Sequence, residues 1–479
     1  MEIADDFEDQ LSEINFVPCV KFVKRGIASA KNIADGIKPN ANQQVFQELV
    51  GGPSTNNIDE DDESDSNEEG EHQNSANNDI DEEELPSANH NDEFNFNDYD
   101  KEQSEAVLKI SDVVEVGEND QLSDEDNDSE VEDDIIKPTD NLVLVGRVET
   151  DCSSLEVYIF NEEENSLYVH HDFLLPFHIL CVEWFSYDVG SDKSGNLCAI
   201  GGMEPIIHIY DLDIHQPLEP VVMLGRKSSK KKNIKRIGHK NAVLDLAWNS
   251  NYQHIMASAS VDQTVILWDL ENASPSTILK DFAEKVQTIE FNAVEAEYLL
   301  TGCSDNTIKL FDCRQSSNEK AQYKQWIVEG EVEKVKWNPN EKYHFVVGTN
   351  SGKIMYFDSR ASDPLWTIDA HEQEVTDFTF NSKVPSLLTS SSVDNYLKVW
   401  KFDETSCNLV YNQHCKVGKV HSLHECPENN WIIGIGGDKR KKNFNVINLT
   451  DYDDVKNVFI NGEPIRNVAK MDEDNEDLD

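Results

Sequence analysis

Positive charge is what this sequence has least of for its length. Lys and Arg together number 41 against 93 Asp and Glu, giving a formal net charge of −52 over 479 residues. Such a chain is repelled by polyanions as a whole, so any contact with nucleic acid must come from locally concentrated basic residues. Apolar residues are also sparse at 38%, below the roughly 45–50% of an average globular chain. No stretch approaches the ~18 consecutive apolar residues of a membrane span, so no membrane partner is expected. The opening MEIADDFEDQ is acidic and has neither the basic nor the apolar region of a signal peptide. The nine cysteines are odd in number and scattered, with no CxxC. They read as free, mostly buried thiols of a reducing compartment. Catalytic signatures are missing too: there is no GxSxG, no glycine-rich phosphate loop and no HExxH. The chain is therefore expected not to be an enzyme, with no small-molecule substrate and no cofactor.

The negative charge is unevenly spread. Between Asp59 and Asp134 stand 32 Asp or Glu and two lysines, Lys101 and Lys109, so these 76 residues carry about −30. A tract of this composition cannot bury enough apolar surface to offset its chain entropy, and it is expected to be disordered.

The rest of the chain repeats. GHKNAVLDLAWN followed by HIMASASVDQTVILWDL is one unit, from Gly238 to Leu270. AEKVQTIEFN with YLLTGCSDNTIKLFD, VEKVKWN with FVVGTNSGKIMYFD, and HEQEVTDFTF with LLTSSSVDNYLKVWKF are three more. Aromatics ending the first strand fall at Trp184, Trp248, Phe291, Trp337 and Phe380, the last three intervals being 43, 46 and 43 residues. Four short strands in a period of about 40–45 mark propeller blades. VGKVHSLHE, NNWIIGIGG and NFNVINLTD make a weaker seventh unit. The first unit has LVLVGRV, LEVYIFN and LYVHHDFLL but nothing directly before them. FVPCVKFVKRG, residues 16–26, aligns with HILCVEWF of the next unit, Cys19 on Cys181 and Phe22 on Trp184, and supplies the missing strand. The acidic tract then becomes one long loop inside blade one, which loop-closure entropy tolerates.

The expected fold is all-β, a seven-bladed WD-repeat β-propeller with a long disordered acidic insertion in blade one. Its parts are an N-terminal segment (1–50) holding the strand 16–26, the insertion (51–134), the remaining propeller strands (135–460) and an acidic tail (461–479). His239, Ser258, Asp262 and Trp268 of blade three match the buried polar tetrad typical of WD repeats, as do His371, Ser390, Asp394 and Trp400 of blade six. In that arrangement a buried His bridges Asp to Ser and Trp, a structural rather than catalytic role. His414, Cys415, His421, His424 and Cys426 have metal-ligating chemistry, but they lie along one strand and its flanks with alternating side chains, so no metal is expected.

In register with its tryptophans, the chain resembles the periodic tryptophan protein 1 family. The segments that carry the likeness lie outside the generic repeat: IIKPTDNLVLVGR, LYVHHDFLLP, DLDIHQPLEPVVMLG followed by a lysine cluster, and HKNAVLDLAWN. The resemblance implies a nucleolar assembly factor of ribosomal large-subunit precursors, with links to chromatin. Nuclear and nucleolar location, with pre-ribosomal proteins and pre-rRNA as partners, follow from that likeness alone.

Two basic clusters suit such a role. RKSSKKKNIKR leads into blade three with Arg226, Lys227, Lys230, Lys231, Lys232, Lys235 and Arg236; DKRKKN in blade seven holds Lys439, Arg440, Lys441 and Lys442. Strand parity in a meander puts both at one end of the blades and the acidic loop at the other. Clustered Lys and Arg neutralise phosphates without reading sequence; the first cluster equally suits a nuclear localisation signal, and both suit plain solvated charge. The acidic loop can bind histones or basic ribosomal proteins, or only keep the chain soluble. Within it Phe94, Phe96 and Tyr99 form an aromatic group suited to docking on a partner. Ser66, Ser123 and Ser129 each have an acid three residues on, as acidophilic kinases prefer, which would make this a phosphoprotein. A scaffold in ribosome assembly is the reading favoured; a chromatin-associated, histone-binding propeller is the alternative.

Overall fold

The structure, a computed structural model, describes residues 14–27, 136–188, 194–214, 217, 219–229, 233–314 and 322–465. Among the described residues seven antiparallel sheets follow one another, six of four strands and one of three. The innermost strands are Asn15–Phe22, Ile179–Phe185, Val243–Trp248, Val286–Phe291, Val332–Trp337, Val375–Phe380 and Val420–Glu425. Each contacts the innermost strands of the blades before and after it, and the last contacts the first, closing a ring.

Blade sequence follows from blade position. Second strands such as Ile255–Ser260, His344–Thr349 and Leu387–Ser392 lie between neighbouring sheets and are buried almost throughout. Strands buried on both faces lose the alternation of half-exposed ones, and close sheet contact favours small side chains. Gly201 shows the limit: a methyl group there would sit 2.6 Å from Cys181 Sγ and 2.8 Å from Val243 Cγ1. Outermost strands such as Pro364–Asp369 bury only one side chain, Trp366. The nine cysteines are all free, and six are buried.

Blade one is assembled across a long sequence gap. Asn15–Phe22 pairs with Asn141–Glu149, with Phe16 opposite Val148, Cys19 opposite Gly146 and Phe22 opposite Val143. Cys181 stands opposite Gly201 and Trp184 opposite Cys198 in blade two, so Cys19 and Phe22 occupy the equivalent places. The strand stops at Phe22, and Arg25 and Gly26 form a turn. The seam with blade seven is apolar: Val17, Val20 and Phe22 pack with Cys426, Ile432 and Phe444. Polar contacts flank it, the Phe22 N–H donating to His424 Nδ1 at 3.3 Å and the Arg25 N–H to Glu428 Oε1 at 3.3 Å.

Among the described residues blade seven has three strands, ending with Phe444–Asn448. The chain then turns through a 3-10 helix, Leu449–Asp451, into an α-helix, Asp453–Phe459. Asn448 caps the turn by accepting the Thr450 N–H, and Asp453 and Asp454 lie at the helix N-terminus, where acids are favoured. Leu449 and Val455 bury themselves with Leu397, Cys415 and Ile433 of blades six and seven, and Tyr452 stacks on Tyr411 at 4.4 Å.

Candidate functional site

The polar tetrads are continuous hydrogen-bond chains. In blade three His239 Nδ1 lies 3.2 Å from both Asp262 oxygens, its Nε2 is 2.7 Å from Ser258 Oγ, and Trp268 Nε1 donates to the same Oγ at 2.8 Å. Blade six repeats this: His371 Nδ1 to Asp394 at 2.9 Å, Nε2 to Ser390 Oγ at 2.8 Å, and Trp400 Nε1 to Ser390 Oγ at 2.9 Å. Burial alone would raise the pKa of both aspartates, but donors outweigh it. His239 and Thr264 hold Asp262, and His371 holds Asp394, below the usual carboxylate range. Burial pushes the His371 imidazole down. A shielded, fully bonded His with no access to solvent holds strands together; it has no room to act on a substrate. Blade four differs: Thr301 Oγ1 bonds to the Lys309 carbonyl, and the Lys309 ammonium lies 4.9 Å over the Phe282 ring and 5.1 Å over Tyr323.

The described residues of the first basic cluster pair in antiparallel fashion, as the arms of a short hairpin, between the last strand of blade two and the first of blade three. Arg226 pairs with Ile237 and Ser229 with Ile234. Its neck is two glycines with positive φ, Gly225 at 104° and Gly238 at 92°, both beside the Trp268 ring. Arg226, Lys227, Lys235 and Arg236 are exposed. Lys227 is 3.1 Å from Glu204. Lys439, Arg440, Lys441 and Lys442 are exposed in the turn between the second and third strands of blade seven. In this strand order, connections from a last strand to the next first strand and from a second to a third open at the same end of the blades. Asn15, which begins the first strand of blade one, donates its amide to the Arg440 carbonyl at 3.4 Å. Lys230, Lys231 and Lys232 lie outside the described residues, as do Ser66, Ser123, Ser129, Phe94, Phe96 and Tyr99.

The histidines and cysteines of blade seven diverge. His421 packs edge-on against Phe16, His424 accepts from Phe22, and Cys426 faces Asn141 at 3.6 Å. Among the described residues no three His, Cys, Asp or Glu side chains are placed to hold a metal ion.

A central channel of about 650 Å³ runs inside the ring, and sequence reading missed what lines it. Acidic side chains of one inner strand accept main-chain N–H groups of the next: Asp245 from Ile289 at 2.9 Å, Asp377 from Leu423 at 3.1 Å, and Glu290 from Trp337. Lys21 binds Glu183 across the seam of blades one and two at 2.6 Å. Burial raises Glu290, Glu333 and Glu425 to about 7. Burial disfavours the Lys334 ammonium, but Asp245, Asp377 and Glu290 more than offset this and keep it charged. The only signal in sequence was an acid inside an otherwise apolar strand, as in VLDLAW and VTDFTF.

Comparison with known proteins agrees with this geometry. Residues 231–269 match the WD domain, G-beta repeat, and residues 284–442 match the family described as Nucleolar protein 10-like, N-terminal domain. The chain is 45% identical over 432 residues to the Periodic tryptophan protein 1 homolog of Drosophila melanogaster, covering 89% of this chain and 92% of that one. It is 31% identical over 360 residues to Periodic tryptophan protein 1 of Saccharomyces cerevisiae, covering 64% of this chain and 62% of the relative. A ribosome biogenesis protein of Dictyostelium discoideum is 25% identical over 171 residues, covering 34% of this chain and 35% of its own length. With a near full-length relative at this identity, the chain belongs to the periodic tryptophan protein 1 family.

Proposed function

We propose that this chain is a non-enzymatic scaffold of ribosome biogenesis, holding proteins and pre-rRNA of large-subunit precursors together in the nucleolus. The observation that carries the reading is the pair of exposed basic turns opening at one end of the blades in a protein of net charge −52. Concentrated lysine and arginine is what a globally acidic protein needs to touch RNA, because charge beyond a Debye length of about 8 Å is largely screened. The likeness to a domain named for a nucleolar protein and to a ribosome biogenesis protein supports the same reading. The propeller's buried polar chains are structural, which leaves its rims and loops for partners.

Affinity purification of the tagged protein, with and without nuclease, tests this. Large-subunit ribosomal proteins and pre-rRNA should copurify, and nuclease should release part of them. Core histones in their place would overturn the reading in favour of a chromatin-associated, histone-binding propeller, for which the acidic tract is the argument.

A further inference from the structure

The basic hairpin holds two adjacent serines that the functional reading leaves unused. Arg226 exchanges main-chain hydrogen bonds with Ile237 at 2.8 and 3.0 Å, and Ser229 with Ile234 at 3.0 and 2.9 Å. Between these two rungs Lys227 and Ser228 lie opposite Lys235 and Arg236, and all four are exposed. Ser229 is half-buried. The base of the hairpin is fixed by Gly225 and Gly238 against Trp268, and the strand of blade two ends at Leu224. The two main-chain rungs lie outside the blade strands, so they and the surface Lys227–Glu204 ion pair can open to an enzyme's cleft with no blade strand disturbed.

We propose that the Ser228–Ser229 pair is a phosphorylation site for a basophilic protein kinase, and that the phosphate weakens the hairpin's hold on RNA. The second half rests on the functional reading above. Kinases of this class present carboxylates to basic side chains two and three residues before the acceptor. Arg226 stands three residues before Ser229 and two before Ser228, and Lys227 stands two and one before them. In the transfer, the serine Oγ attacks the γ-phosphorus of ATP and a new O–P bond forms. The bond to the β,γ-bridging oxygen breaks, ADP leaves, and the hydroxyl proton passes to the kinase's carboxylate base.

The product carries about −1.5 to −2 at neutral pH. It sits among Arg226, Lys227, Lys235 and Arg236, offsetting about half of their charge. Its oxygens also pair with these donors in charge-assisted hydrogen bonds and withdraw them from RNA phosphates. This chemistry is distinct from that of Ser66, Ser123 and Ser129, whose acidic surroundings suit the opposite class of kinase.

The experiment uses the full chain, Mg-ATP and the catalytic subunit of a basophilic kinase. Phosphate is mapped by mass spectrometry, and binding to a single-stranded uridine homopolymer is followed against salt. Incorporation should concentrate at Ser228 and Ser229. The phosphorylated protein should bind about tenfold more weakly, with a salt slope lower by about 0.7–1.4, as losing one or two phosphate contacts to a single strand requires. A Ser228→Ala/Ser229→Ala double variant should bind RNA like the unmodified protein and be unaffected by the kinase. Phosphate placed elsewhere, or incorporated with no change in slope, overturns the switch and leaves the RNA reading standing. No RNA binding by the unmodified protein overturns both.

Discussion

At the scale of single residues, the tetrads make the sharpest stability predictions. Replacing Ser390 with Ala removes the one oxygen shared by His371 Nε2 and Trp400 Nε1. That orphans a buried donor, Trp400 Nε1, and the buried His371 Nε2, each at a cost of about 1–3 kcal/mol, so the melting temperature of Ser390→Ala should fall by several degrees. An unchanged melting temperature would mean the tetrad carries no load. The pH dependence has two opposed limbs. Asp262 and Asp394 have depressed pKa values, so their stabilisation is present above about pH 4 and lost as pH falls below it. Glu290, Glu333 and Glu425 are raised to about 7, so the folded state binds their protons more tightly than the unfolded chain. Their contribution is complete below about pH 4 and is lost as pH rises towards 7. Glu290→Gln keeps an acceptor for the Trp337 N–H but cannot ionise. Its melting temperature should gain on the wild type as pH rises from about 5 to 8, and parallel profiles would contradict this. The tetrads were legible in sequence because His, Ser, Asp and Trp recur at fixed separations. The channel carboxylates were not, because an acid at Asp245 or Asp377 looks like an ordinary solvated position until the ring turns seven inner strands towards one axis.

At the scale of elements, the N-terminal strand closes the ring. Without Asn15–Phe22, the edge of Asn141–Glu149 is unpaired and Ile432 and Phe444 of blade seven lose Val17, Val20 and Phe22. Exposed strand edges promote association, so a chain lacking residues 1–26 should melt lower and aggregate. A soluble truncation with unchanged melting would show that blade one closes some other way. Most strands were readable because the first strands of blades one to six end in or next to an aromatic, and the third strands of blades two to five end in an aromatic followed by Asp. Blade seven was readable only in part. Its closing helix, Asp453–Phe459, was not foreseen, although Val455, Val458 and Phe459 have helical spacing. At seven residues the helix is too short to announce itself by periodicity, and it is held by packing on Cys415 and Leu397 rather than by propensity.

At the scale of the whole molecule, charge and fold are separable. Replacing residues 51–130 with a short Gly/Ser linker should leave the melting temperature nearly unchanged, since the ring's strands lie outside that span. A large loss would show that the tract supports the blades. In the proposed function, a strongly acidic protein meets pre-ribosomal RNA through two basic turns at one end of its blades. This contact is tested most directly by reversing Lys227, Lys235, Arg236, Lys439, Lys441 and Lys442 to Glu in a chain given a separate nuclear import signal, and measuring association with pre-ribosomal particles against salt. These side chains are exposed, so the fold should be intact. Each lost phosphate contact should lower the salt slope by about 0.7–0.9. Weaker association with a flattened slope is the predicted result. A folded, nuclear variant that joins particles with unchanged affinity and slope would contradict it.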